Sequence, residues 1–177
     1  MPMRRFAAIL AFLLLAVPLY AQKEKREPLN AAQIDQIRDS GSFPDDRIKL
    51  YTKFLDERAD IIKGLTNRAK STARSNRLDG ELQDFTALMD ELGSNLDLYS
   101  DRHSDIRKSL KSLSDAAPRW LHILRALAGE SGFDLSRKEA IESGEELSDQ
   151  ATRLLTEQDD YFKQHKTEAG QEREEPK

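Results

Sequence analysis

The stretch from Leu78 to Leu113, LDGELQDFTALMDELGSNLDLYSDRHSDIRKSLKSL, decides the fold class. Within it Leu78, Leu82, Phe85, Met89, Leu92, Leu96, Tyr99, His103, Ile106, Leu110 and Leu113 follow one another at steps of four and three. A helix turns once every 3.6 residues, so this spacing lays the whole series along one face. All but His103 are apolar, and the residues between them are largely Asp, Ser, Arg and Lys. The period-two alternation of a half-buried strand is absent. The stretch therefore reads as one long helix with a coiled-coil-like seam.

Toward the C-terminus, Leu113, Ala117, Trp120, Leu124 and Leu127 keep the same phase across Pro118. Proline removes an amide donor and clashes with the preceding turn, at a cost of about 3 kcal/mol inside a helix. A kink or break is expected there, and Gly129 and Gly132 mark the next turn. Trp120 falls on the seam and reads as core. A further helix is expected from about Asp134, its cap, to about Lys166, with a seam of Ala140, Gly144, Leu147, Ala151, Leu154 and Tyr161. Glycine is a poor helix former, so Gly144 suggests close approach of another backbone.

Toward the N-terminus, Ile48, Tyr51, Leu55, Ile62, Leu65 and Ala69 set a third run, expected to stay helical for roughly 30 residues, or about 45 Å. Ser42, Pro44, Asp45 and Asp46 announce its start, as cap, first-turn proline and acids beside the positive end of the helix dipole. Before it, Asn30 and Gln33 form a capping box for a short helix ending near Gly41. This opening, Leu29-Asn30-Ala31-Ala32-Gln33, resembles the Leu-Thr-x-x-Gln start of small periplasmic helical proteins of the stress-chaperone type, with Asn30 in place of Thr. The likeness covers five residues and carries no functional residue with it. The expected architecture is all-α: an elongated antiparallel three-helix bundle with a short leading helix and a kink or break near Pro118.

Residues 1–21, MPMRRFAAILAFLLLAVPLYA, have the layout of a secretory signal peptide. Arg4 and Arg5 precede an uncharged apolar run, Pro18 breaks it, and Ala21 offers a small residue for cleavage. From Phe6 to Ala21 a helix would span about 24 Å, short of the ~30 Å hydrocarbon core, so cleavage is favoured over anchoring. Export to the periplasm or beyond is expected, with no transmembrane helix after signal removal. Residues 22–28 read as a flexible linker, 29–166 as one helical domain and 167–177 as a disordered tail. Removing the signal leaves 26 Lys and Arg against 32 Asp and Glu. That acidity argues against general nucleic-acid binding. The chain has no cysteine, which excludes disulfides, thiolate metal sites and thiol catalysis.

No constellation for catalysis is apparent, and no cofactor is expected. His103 stands out because it interrupts an apolar seam, and it is a weak metal-ligand candidate, with Tyr99 or Asp105 nearby. His122 and His165 have no partner at helical spacing. Glu139, Glu142, Glu145, Glu146 and Asp149 read as a solvated acidic face, with weak calcium binding as the runner-up. One charge feature is less easily dismissed. No acid occurs from Ile61 to Leu78, while Lys63, Arg68, Lys70, Arg74 and Arg77 accumulate. Cations complement the negative end of a helix dipole, and the other reading is an anion-binding tip near Ser75 and Asn76. The functional expectation is a non-catalytic exported interaction protein, with a protein partner, self-association or an anionic surface as targets. A ligand- or metal-binding bundle is the alternative.

Overall fold

A computed structural model describes residues 27–40 and 43–170. The expected signal peptide, most of the linker, Ser42 and residues 171–177 of the tail lie outside the described residues; the N-cap of α2 is Phe43, which makes no side-chain cap bond, in place of the expected Ser42. The described chain is all helical: α1 (Ala31–Asp39), α2 (Pro44–Thr66), α3 (Thr72–Asp101), α4 (Arg107–Ala126) and α5 (Asp134–Gln164). No strand occurs among the described residues. Four long helices therefore stand where three were expected, because the Leu78–Leu113 stretch is divided between α3 and α4.

The division falls at His103, well before Pro118. Ser104 N donates to Tyr99 O at 3.0 Å and His103 N to Ser100 O at 2.9 Å, while His103 itself has φ +53°. This pair of bonds around one left-handed residue is a Schellman ending. Glycine usually occupies that position, but histidine is among the residues enriched there. The chain reverses, yet Tyr99 and Ile106 on either side are both fully buried. Apolar spacing reports only that a residue faces the core, and both segments face the same core.

Pro118 lies inside α4 without ending it. It is exposed, whereas Leu113 and Ala117 before it and Trp120 and Leu124 after it are buried. Burial on both sides holds the segment helical, and the disturbance a proline causes faces solvent.

The expected 30-residue third run is also shorter. α2 stops at Thr66 after 23 residues, about 34 Å, and Ser71 caps α3 by accepting a hydrogen bond from Arg74 N at 3.2 Å. The turn lies at residues 67–71, ahead of the expected Ser75 and Asn76. At the other end of the chain, Asn30 and Gln33 exchange bonds of 3.1 and 3.0 Å, the expected capping box. α1 buries no residue fully; it leans on α2, with Leu29 and Ile37 against the core and Pro28 O accepting from Arg58 at 2.5 Å.

The long helices form a four-cornered bundle. α2 packs on α3 and α4, α5 packs on the same two, and the pairs α2/α5 and α3/α4 stand across the diagonals. Side-chain bonds give the directions. Tyr51–Glu91 and Arg58–Glu81 run α2 against α3 antiparallel, and Arg125–Glu145 with Arg107–Asp159 do the same for α4 and α5. Asp56–Trp120 with Asp45–Ser109, and Asp79–Ser136 with Asp90–Ser143, make the α2/α4 and α3/α5 neighbours parallel. Two antiparallel hairpins thus lie side by side, joined by a corner that crosses the bundle, and the expected all-antiparallel arrangement is corrected.

The interior is continuous from Ile48 to Leu154. Phe85 and Trp120 meet edge to face across the diagonal, with ring centroids 5.9 Å apart, and the Trp120 indole N–H donates to Asp56 at 2.7 Å. Gly144 is closed in by side chains rather than backbone: a Cβ there would lie 3.0 Å from Leu121 Cδ2 and 3.6 Å from Met89 Sδ.

Candidate functional site

The five cations of the expected tip are distributed over a turn. Lys63 is in the last turn of α2, Arg68 and Lys70 are in the connection, and Arg74 and Arg77 are on α3. Arg74 is 9% exposed and points inward. Its Nε donates to Leu65 O at 2.9 Å, satisfying a carbonyl that the end of α2 leaves open. One terminal nitrogen reaches both Glu130 carboxylate oxygens at 3.1 and 3.2 Å. Glu130 belongs to the α4–α5 connection, so Arg74 stitches the two connections together. Burial opposes the charge of Glu130, but the bond from Arg74 and the nearness of Lys70 outweigh it and hold its carboxyl below the usual range. Gly132 lies against the first turn of α3, where a Cβ would sit 3.0 Å from that of Ser75.

This docking assembles a patch that the linear sequence does not display. Residues 61–78 and 125–138 meet at one end of the bundle, and together they hold eight Lys and Arg against two acids, Glu130 and Asp134. Adding Glu81 and Glu145, which reach this end to pair with Arg77 and Arg125, still leaves eight against four. Asp134 is the first residue of α5 rather than its cap; its carboxylate holds Arg137 and Lys138 at 2.8 Å and is depressed by Lys138 and then Arg137. Lys63 and Arg68 are exposed and make no ion pair among the described residues. Dipole compensation accounts for Lys63 and Arg125, which sit in last turns. It does not account for Arg74, because the first turn of α3 has no acid and its positive dipole end disfavours cations.

The opposite end is built around the α3–α4 corner. Gln158 of α5, 4% exposed, donates to Ser104 O at 2.9 Å and accepts from Ile106 N at 3.1 Å. The corner's own backbone groups are thereby satisfied by one side chain. His103 is exposed and stacks on Tyr161 with centroids 4.3 Å apart, and His165 stacks on Tyr161 at 4.1 Å. The two imidazoles are parted by the Tyr161 ring, and no set of three His, Asp or Glu converges among the described residues. His122 is exposed on α4.

Asp105 binds Arg107 with two bonds of 2.8 and 2.7 Å, and accepts from Gly170 N at 2.7 Å, which brings residues 167–170 of the expected tail back onto the bundle as turns. The bond from Arg107, opposed by burial, holds the Asp105 carboxyl below its ordinary value. A depressed carboxylate stabilises the fold above its unfolded pKa of about 3.9, and that contribution is lost as pH falls through the folded value. Asp105→Asn should therefore flatten the acid limb of the stability curve below about pH 4 while leaving its shape near neutrality unchanged, as followed by thermal melts across pH.

Between the ends runs a polar ladder. Ser136, Ser143 and Gln150 recur every seven residues on α5, and they meet Asp79, Asp90 and Asp97 of α3. Gln83 adds a bond to Asp79 at 2.8 Å, and Gln150 one to Gly93 O at 3.0 Å. Ser136 and Ser143 are buried, and their heptad spacing beside Ala140, Gly144 and Leu147 is the signal in the sequence that marks this face. Among the described residues, two clefts open to solvent can be named. One of about 360 Å³ lies along this ladder near Asp90, Asp97 and Gln150; the other, about 470 Å³, lies at the foot of α4 beside Arg107, Lys108 and Lys111.

No helix among the described residues is long and apolar enough to cross a membrane. No family model, curated protein or solved structure matches the chain.

Proposed function

We propose that this is an exported, non-catalytic interaction protein whose working surface is the basic pole formed by the α2–α3 and α4–α5 connections. The observation that carries the reading is the convergence of two cationic segments at one end of an otherwise acidic chain. Outside residues 61–78 and 125–138 the sequence has 20 Lys and Arg against 30 Asp and Glu. Such asymmetry steers a polyanion toward one end and repels it from the rest. Carboxylates placed at the candidate sites are engaged structurally: Asp79, Asp90 and Asp97 in the ladder, Asp105 with Arg107, and Glu130 with Arg74. The apolar start of the sequence supports export, and the continuous packed interior supports a rigid scaffold for a surface function.

The test is affinity for a soluble polyanion, dextran sulfate, at low and high salt. Lys63, Arg68 and Lys70 are exposed, so changing all three to Gln should leave the fold intact. Binding should weaken on the order of tenfold or more in that variant, and should fade as the Debye length falls from ~10 Å at 0.1 M salt to ~3 Å at 1 M. Unchanged affinity would end the proposal. The runner-up, a ligand-binding bundle, rests on the cleft beside Arg107, Lys108 and Lys111. Saturable small-anion binding that ignores the pole substitutions would favour it.

A further inference from the structure

Leu135 is the most solvent-exposed large apolar residue among those described, at 71%, whereas Ile34, Phe43, Ile61 and Leu98 are near 40%. It sits in the first turn of α5, at the basic pole. Every Cα–Cβ bond of a helix tilts toward the N-terminus, so a first-turn side chain leans outward past that end of the bundle. Its neighbour Phe133 is buried and anchors the turn, which leaves Leu135 held on a fixed backbone with nothing apolar to cover it. Arg137 and Lys138 follow within one turn, and the same end holds Lys63 in the last turn of α2 and Arg68 and Lys70 in the α2–α3 connection. The two clefts lie elsewhere, along α3/α5 and at the opposite end.

We infer that the basic pole docks on an anionic lipid bilayer, with Leu135 entering the headgroup–acyl boundary and the exposed cations of the pole meeting lipid phosphates. This deepens, and rests on, the proposal that the pole is the working surface. An exposed apolar side chain one turn from Lys138, at an end of the bundle rich in Lys and Arg, combines the two terms that drive interfacial membrane binding, buried apolar area and attraction to anionic headgroups. A soluble polyanion would use the cations and gain nothing from Leu135. The acidic remainder of the chain would be repelled by the same surface, which favours end-on contact through this pole alone.

The exported protein, as recovered from the cell, would be co-sedimented with phosphatidylglycerol–phosphatidylcholine vesicles and with pure phosphatidylcholine vesicles. Binding is expected on the anionic vesicles at low salt and should weaken sharply at high salt. Each cation near such a surface is worth about a fivefold change in affinity, so Lys63, Arg68 and Lys70 changed together to Gln should lower binding on the order of a hundredfold. Leu135→Ser should lower vesicle affinity by about fivefold or more and leave dextran sulfate affinity within about twofold. Because Leu135 is exposed, that variant should fold normally, which circular dichroism checks. In Leu135→Trp the new indole should shift its emission to the blue on anionic vesicles and remain unshifted with dextran sulfate. Vesicle binding indifferent to Leu135→Ser, or dextran sulfate binding without vesicle binding, would overturn the membrane inference and leave the pole as a site for soluble polyanions. Failure to bind either at low salt would overturn the proposed function as well.

Discussion

Gln158→Leu is expected to lower stability by roughly 2–5 kcal/mol, because two buried backbone groups lose their only side-chain partner and each unsatisfied group costs about 1–3 kcal/mol. The Ile106 amide and the Ser104 carbonyl are the groups concerned, and neither belongs to a regular helix bond. Leucine is close to glutamine in size, so the packing around position 158 is disturbed little and the loss reports the hydrogen bonds. Urea titration measures the total. Hydrogen exchange adds a local readout: the Ile106 amide should exchange much faster in the variant, while amides in the middle of α3 change only as global stability changes. A loss below about 0.5 kcal/mol, typical of surface substitutions, would mean that the corner does not depend on α5.

Leu92→Ala should be comparably severe. Leu92 is 0% exposed in the middle of α3, at the centre of the seam. Deleting its three outer carbons removes transfer free energy and leaves a cavity, for a combined loss of about 2–5 kcal/mol. That is a large share of the ~5–15 kcal/mol by which a domain of this size is stable. Leu98 supplies the control, since it lies on the same helix but is 39% exposed. Leu98→Ala should cost under about 1 kcal/mol. Equal losses in the two variants, measured by chemical denaturation, would contradict the burial pattern on which the bundle rests.

Much of the fold was legible because helix formation is local. The apolar steps from Leu78 to Leu113 and from Ala140 to Leu154, the Asn30–Gln33 capping box and the placement of Trp120 in the core all follow from spacing within one or two turns. The number of helices was not legible. The seam of α3 and α4 keeps its phase through the corner, and the residue that ends α3 in the left-handed region is His103 rather than a glycine. Pro118, the louder signal, is tolerated because the core on both sides of it is buried.

The candidate site divides the same way. The cationic run from Lys63 to Arg77 was visible as the absence of any acid, but its partition was not. Arg74 resembles its neighbours in sequence and becomes a buried stitch only because Glu130, 56 residues on, is brought to it. Arg125, Arg137 and Lys138 join the pole for the same reason, and the exposure of Leu135 is a consequence of which face of α5 the other helices cover.

By itself, then, the sequence determined that the described chain is helical and where most apolar stripes lie, since each depends on contacts between residues a few positions apart. Tertiary structure alone decided the four-cornered arrangement, the parallel α3/α5 ladder and the basic pole. These depend on which stripe meets which, and every amphipathic helix offers the same kind of apolar face to any neighbour. The choice among neighbours rests on specific long-range pairings, Asp79–Ser136, Asp90–Ser143, Gln158 with the corner and Arg74–Glu130, whose partners lie more than fifty residues apart.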